Sequence, residues 1–196
     1  MMSDKILSEI KEFTRLNSED DDIHGYPHVL RVYNLCIKMG KKLNANLKIL
    51  EIAALLHDIG RKKEKEDVFK RNHAEISAEI ALKFLKNSNL NLTKQEINAI
   101  IHCIKSHSFS SGVPAESLEA KILSDADKID ALGAIGLYRT IGFTVLNNGG
   151  INDVINHLEN KILNLKEKLY LKYSKKVAKK RVRIIINFYE QIRQQK

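Results

Sequence analysis

The sequence predicts an all-α fold, and three observations carry that expectation. Only two prolines and nine glycines interrupt 196 residues. No stretch of any length alternates apolar and polar residues as a half-buried strand does. Apolar residues instead recur at three- and four-residue spacing, the period of an amphipathic helix, in a chain dominated by Leu, Ile, Lys, Glu and Asn. At this length a single domain spanning 1–196 can bury a proper core. No repeat, linker or low-complexity tail divides the sequence.

The first helix is expected from Asp4 to Phe13, with Ile6, Leu7, Ile10 and Phe13 on one side. The acidic run Ser18–Asp22 that follows reads as a solvated loop, since it lacks the spaced oxygens and central glycine of a calcium loop. A second helix starts near Pro27, a residue suited to a first turn, and runs to about Leu43. His28 sits at its start; alone, it reads most simply as a packed or water-bound histidine. Val29, Val32, Leu35, Cys36 and Met39 supply the core face.

The third helix is the least ordinary. Leu47, Ile49, Leu50, Ile52, Ala53, Leu55 and Leu56 make it apolar on most of its circumference, yet it ends in His57 and Asp58, with Gly60 as the expected stop. Burying both side chains is costly unless something satisfies them. A divalent metal does so, because imidazole and carboxylate both ligate one. The plainer alternative has His57 meeting a carbonyl and Asp58 capping the next turn. The charged stretch after Gly60 reads as a loop, in which Arg61, Lys62 and Lys63 lie beside the His–Asp pair and are suited to phosphate.

A fourth helix is expected over Asn72–Leu85, with His73 in its first turn and small residues that permit close packing. The fifth, Thr93 to about His107, opens with the capping-box form T-K-Q-E. His102 falls half-exposed on it, and His107 falls at its C-terminal end before the loop S-F-S-S-G. Ala120–Gly136 then reads as a mostly buried helix carrying Asp125, Asp127 and Asp130, three carboxylates that need a cation or donors. Asp127 and Asp130 share a face. Gly133 and Gly136 permit a kink, and Arg139 is expected on a continuing helix. Two long helices, about 151–195, close the chain.

Cys36 and Cys103 are isolated in helical patterns and read as buried apolar residues in a reduced compartment. No apolar run reaches membrane length, and Met1–Ile10 lacks the order of a signal peptide; a soluble cytoplasmic protein is expected. The net charge of +9 invites an anionic partner. Lys175, Lys176, Lys179, Lys180, Arg181 and Arg183 concentrate that charge near the C-terminus. With little aromatic interleaving there, nucleic acid is the minority reading.

Together, His28, then His57–Asp58, then an aspartate in D-A-D-K-I-D form an ordered set. This set resembles the HD superfamily of metal-dependent phosphohydrolases. G-Y-P-H-V-L-R-V, A-A-L-L-H-D-I-G, H-A-E-I-S-A-E-I-A, H-S-F-S and L-S-D-A-D-K-I-D-A-L-G-A-I-G are similar to its small single-domain hydrolase subfamily, and the similarity covers nearly the whole chain. The resemblance implies an HD-domain helical bundle with its metal-site core at about 20–140. It implies one divalent ion per site, held by His28, His57, Asp58 and Asp127, with Asp125 as the fallback. Mn²⁺ or Fe²⁺ suit mixed nitrogen and oxygen ligands; Ni²⁺, Co²⁺, Zn²⁺ and Mg²⁺ are further candidates.

The implied reaction is attack of a metal-activated water on phosphorus, with the cutting of a nucleoside triphosphate to monophosphate and pyrophosphate as its leading case. Asp58, His73 and His107 are the candidates for proton transfer, and Arg61, Lys62 and Arg139 for phosphate binding. Arg61 departs from those HD nucleotidases that carry an acid three positions after the dipeptide, so that mechanism does not transfer. The alternatives are a phosphodiesterase or alarmone hydrolase, with a second metal held through His73, His102 or His107, and a non-catalytic nucleotide- or RNA-binding module.

Overall fold

The structure, a computed structural model, describes residues 4–108 and 111–196. Phe109 and Ser110, part of the expected loop and of the H-S-F-S run, lie outside the described residues. All regular structure among the described residues is helical, without a strand. The chain divides into two compact units, residues 1–124 and 125–196.

In the first unit, helices α1 (Asp4–Asn17), α2 (Tyr26–Leu43), α5 (His73–Asn87) and α6 (Lys94–His107) surround α3 (Leu47–Leu56). Every residue from Leu50 to Gly60 is buried. That follows from an apolar sequence on all sides of the helix, which no single-faced packing could cover. Asn46, Asn72 and Thr93 cap α3, α5 and α6, each accepting an amide N–H three residues on. Glu96 completes the expected capping box at Thr93. Cys36 and Cys103 are buried free thiols, and burial pushes Cys103 up to about 12.

Gly60 is not the helix stop that the sequence reading makes it. Its backbone is right-handed (φ −90°, ψ −8°). It is glycine because α5 crosses there: a Cβ would stand 2.5 Å from the Ser77 amide nitrogen and 2.8 Å from the His73 carbonyl oxygen. The chain from His57 to Gly60 is a turn laid against α5, and the Gly60 N–H donates to Ser77 Oγ. The charged stretch that follows is likewise no plain loop, because Arg61–Glu64 forms one helical turn, α4.

The acidic run also has a structural member. Asp21 Oδ1 accepts the amides of Ile23, His24 and Gly25, winding the segment that leads into α2.

Helix α7 (Leu118–Asp130) runs from the first unit into the second. It does not continue through Gly136. Leu132 is extended and Gly133 has φ +83°, so the chain breaks before α8 (Gly133–Leu146). Within the second unit α8 and α9 (Ile151–His157) pack on α10 (Lys172–Gln195). The first of the two expected C-terminal helices is shorter than anticipated. It passes into a π turn at Leu158–Ile162 and a 3₁₀ turn at Leu165–Lys168.

Asp125, 0% exposed, accepts the amides of Tyr170 and Leu171 at 2.8 and 2.9 Å and so fixes the chain's entry into α10. Burial raises its pKa despite those bonds. Arg181, one of the basic run, is not a surface charge: its Nη1 donates to the Ile129 carbonyl and its stem lies against Gly133.

Candidate metal centre

The turn at the end of α3 places Asp58 among four imidazoles. His28 comes from the first turn of α2, His57 from the end of α3, His73 from the first turn of α5 and His107 from the last turn of α6. His28 Nε2 and His57 Nε2 lie 3.4 and 3.7 Å from Asp58 Oδ2. His73 Nε2 and His107 Nε2 lie 3.6 and 3.4 Å from Oδ1. Neighbouring rings stand 4.9–5.5 Å apart between centroids. His28, His57 and Asp58 form one group whose ligand atoms lie within 4.8 Å of one another, and Asp58, His73 and His107 form a second.

The tautomers follow from the outer nitrogens. His57 Nδ1 meets the Ala54 carbonyl at 2.8 Å, and His107 Nδ1 meets the Ile104 carbonyl at 2.6 Å. A carbonyl only accepts, so each Nδ1 carries the hydrogen and each Nε2 turns its lone pair toward Asp58. That is the arrangement of a metal-ligating histidine, whose second nitrogen donates to the protein. His73 is oriented by Glu64, whose Oε1 accepts both its amide N–H (2.8 Å) and its Nδ1–H (3.2 Å). The His73 bond is also the largest cause holding Glu64 below the usual carboxylate range.

Lone pairs converging on a carboxylate repel one another, and so need a cation. Part of that charge comes from Arg61, whose Nε donates to Asp58 Oδ2 at 2.5 Å. Burial pushes the Asp58 carboxyl up, but Arg61 and His57 outweigh it and hold the group well below its ordinary value. Asp58 Oδ1 and His107 Nε2 nonetheless have no hydrogen-bond partner among the described residues. Each such orphan costs about 1–3 kcal/mol when buried. A divalent ion held at this carboxylate, together with the water it carries, satisfies such atoms, so the donor set fits a metal.

The sequence matches the HD domain family over residues 25–132. The chain belongs to that family. The YpgQ protein of Bacillus subtilis is 28% identical over 183 residues, covering 89% of this chain and 85% of its own. The crystal structure of YpgQ in complex with ADP superposes with a TM-score of 0.78 at 25% identity, over 98% of this chain and 95% of YpgQ. An HD-superfamily hydrolase from Bacillus thuringiensis superposes with a TM-score of 0.72 at 25% identity, over 99% and 98% of the two chains. Ribonuclease Y of Lawsonia intracellularis is 34% identical over 91 residues, which are 46% of this chain and 15% of that protein. Family and solved relatives together support a hydrolase with a His–Asp cluster suited to a metal.

The other residues that the sequence singles out lie as follows. Lys62 is exposed on α4. His102 stands apart, its Nε2 accepting the Glu116 amide. Arg139 is 8% exposed, and its Nη1 donates to Asp130 Oδ2 at 2.8 Å within the second unit. Asp127, also in that unit, is half-buried on α7. The sequence reading misses Glu64, the orienting acceptor of His73. A first-turn histidine needs an acceptor, but nothing in the sequence picks out the glutamate nine residues upstream. No single helix among the described residues is long and apolar enough to cross a membrane.

Proposed function

We propose that the chain is a metal-dependent phosphohydrolase acting on nucleotides, with a nucleoside triphosphate cut to monophosphate and pyrophosphate as the leading reaction. The observation that carries this reading is the ring of four histidine Nε2 atoms around one ionised carboxylate, Asp58. His28, His57 and Asp58 would hold the ion, with Asp127 as the fourth ligand. Asp127 is favoured by its place in A-D-K-I-D-A-L, while Asp125 and Asp130 are committed to the Tyr170 and Leu171 amides and to Arg139. Mn²⁺ or Fe²⁺ best matches two imidazoles and two carboxylates. Such an ion, when bound, lowers the pKa of water and neutralises charge on a phosphoryl group.

The chain's own groups divide the remaining work. Asp58, held well below its ordinary pKa, keeps its charge. Asp58, His73 and His107 are the groups placed for proton transfer, and Glu64 holds the His73 imidazole in a fixed orientation. Arg61, at the centre, and exposed Lys62 beside it supply cationic donors for phosphate oxygens. A nucleotide substrate is supported by the ADP complex of YpgQ.

A second reading, phosphodiester cleavage, is favoured by the second ligand group, Asp58–His73–His107, and by the local similarity to Ribonuclease Y. The two readings separate on product analysis. The chain is incubated with Mn²⁺ and nucleoside tri- and diphosphates, cyclic dinucleotides or short RNA, and compared with His57→Ala/Asp58→Ala. Pyrophosphate released from a triphosphate, absent in the double variant, is the expected result. Diester cleavage alone moves the assignment to the second reading, and turnover of none of them by the metal-loaded protein refutes both.

A further inference from the structure

We propose that Arg61 limits this centre to one ion by closing its His73 side. The inference rests on the metal-centre reading above and concerns what decides the number of ions. Asp58 offers two oxygens to two pairs of histidines, and both groups have the spacing of a three-ligand site. A carboxylate shared in this way is able to bridge two ions. Arg61 breaks the equivalence of the two sides.

Its guanidinium spans them, with Nε on Asp58 Oδ2 at 2.5 Å and Nη2 on His73 Nε2 at 3.3 Å. The consequence differs because the lone-pair inventories differ. A carboxylate oxygen has two lone pairs, so Oδ2 can accept from Arg61 and still face His28 and His57. A neutral imidazole has one. Glu64, an acceptor, fixes the His73 hydrogen on Nδ1, and arginine only donates. The single lone pair of His73 is therefore turned to an N–H and is withheld from a cation. The guanidinium also brings a full positive charge beside the second ligand group, where a second ion would add another.

The device is compact. Arg61 opens α4 and Glu64 closes it, so one helical turn carries both the cation that caps His73 and the carboxylate that orients it. His73 is thereby kept out of the ligand set. The side chain of Arg61 is 19% exposed, so the cap lies at the edge of the centre and can be removed without opening the core.

The test is metal stoichiometry on the full chain, with Mn²⁺ as the probe. Equilibrium dialysis followed by elemental analysis should give one Mn²⁺ per wild-type chain. Arg61→Ala should give two, with the electron paramagnetic resonance signature of a spin-coupled pair, and Arg61→Ala/His73→Ala should return to one. Arg61→Met, which keeps the stem and removes every donor, serves if the alanine variant does not fold, and should also give two. Two ions in the wild type, or one in both the Ala and Met variants, overturns the proposal while leaving the centre standing. No ion in the wild type overturns the metal-centre reading itself.

Discussion

Asp125 and Asp127 stand two residues apart in one helix, and the account gives them unlike tasks. Asp125→Ala removes the acceptor of two backbone amides, Tyr170 and Leu171, at 2.8 and 2.9 Å from a carboxylate that is 0% exposed. A donor left unsatisfied costs about 1–3 kcal/mol. Tyr170 is 45% exposed, so water can partly replace its bond, and the loss should be about 2–3 kcal/mol in total. For a chain of this size each kcal/mol moves the melting temperature by roughly 2–4 °C. Asp125→Ala should therefore melt roughly 4–12 °C lower than wild type and, assayed below its transition, should still bind Mn²⁺. Asp127→Ala should lose the ion. Differential scanning calorimetry with and without EDTA, paired with metal analysis, reads both quantities. Loss of metal in Asp125→Ala with an unchanged metal-free transition would show that the ligand had been assigned to the wrong aspartate.

Three further expectations follow from particular contacts. Gly60→Ala would place a methyl 2.5 Å from the Ser77 amide nitrogen. The turn bearing Asp58 must then move off α5, at a cost of about 1–3 kcal/mol and with loss of bound Mn²⁺; tight binding at wild-type stability would contradict the packing argument. Asp21 is buried enough to be pushed up, but the amides of His24, Ile23 and Gly25 win and hold it below 3.8. A carboxyl lowered on folding contributes stability above its unfolded pKa and loses it as pH falls through the folded one. The urea-unfolding difference between wild type and Asp21→Asn should thus be fullest above 3.8 and shrink toward acid; a difference that grows on acidification refutes it. Lys175, Lys176, Lys179 and Lys180 are exposed on α10, where salt screens them. Their joint replacement by Gln should leave kcat/KM on a mononucleotide within about twofold, and a crippled variant would point to a polymeric substrate.

Helices were legible wherever one face alone is apolar, as in α2, α5 and α6, because periodicity reports burial directly. The capping box at Thr93 was legible for the same local reason. The chain break at Leu132 was not: A-L-G-A-I-G stays apolar on both sides of it, and the positive φ of Gly133 leaves no trace in hydropathy. The role of Gly60 was misread because a stop and a close approach call for the same residue, and the approaching partner, α5, lies more than ten residues away. The plain reading of His57 holds at one nitrogen, since Nδ1 meets a carbonyl, while Nε2 faces Asp58. His73 and His107 were visible as candidates for proton transfer, but their convergence on the same carboxylate as His28 and His57 depends on how α5 and α6 pack on α3. Asp125 carried no signal for its task, since its partners are backbone amides some 45 residues downstream.

The central claim is that the ring around Asp58 becomes a hydrolytic centre when it holds a metal. The initial rate of nucleotide hydrolysis, measured against Mn²⁺ concentration for wild type and Asp58→Asn, tests it most directly. The account predicts a saturable dependence on Mn²⁺ in the wild type, abolished by EDTA and restored by excess metal. In Asp58→Asn, whose side chain keeps the shape and loses the charge, the rate at saturating Mn²⁺ should fall by about a thousandfold or more. Hydrolysis by the wild type that ignores EDTA, or an Asp58→Asn variant as fast as the wild type, would contradict it.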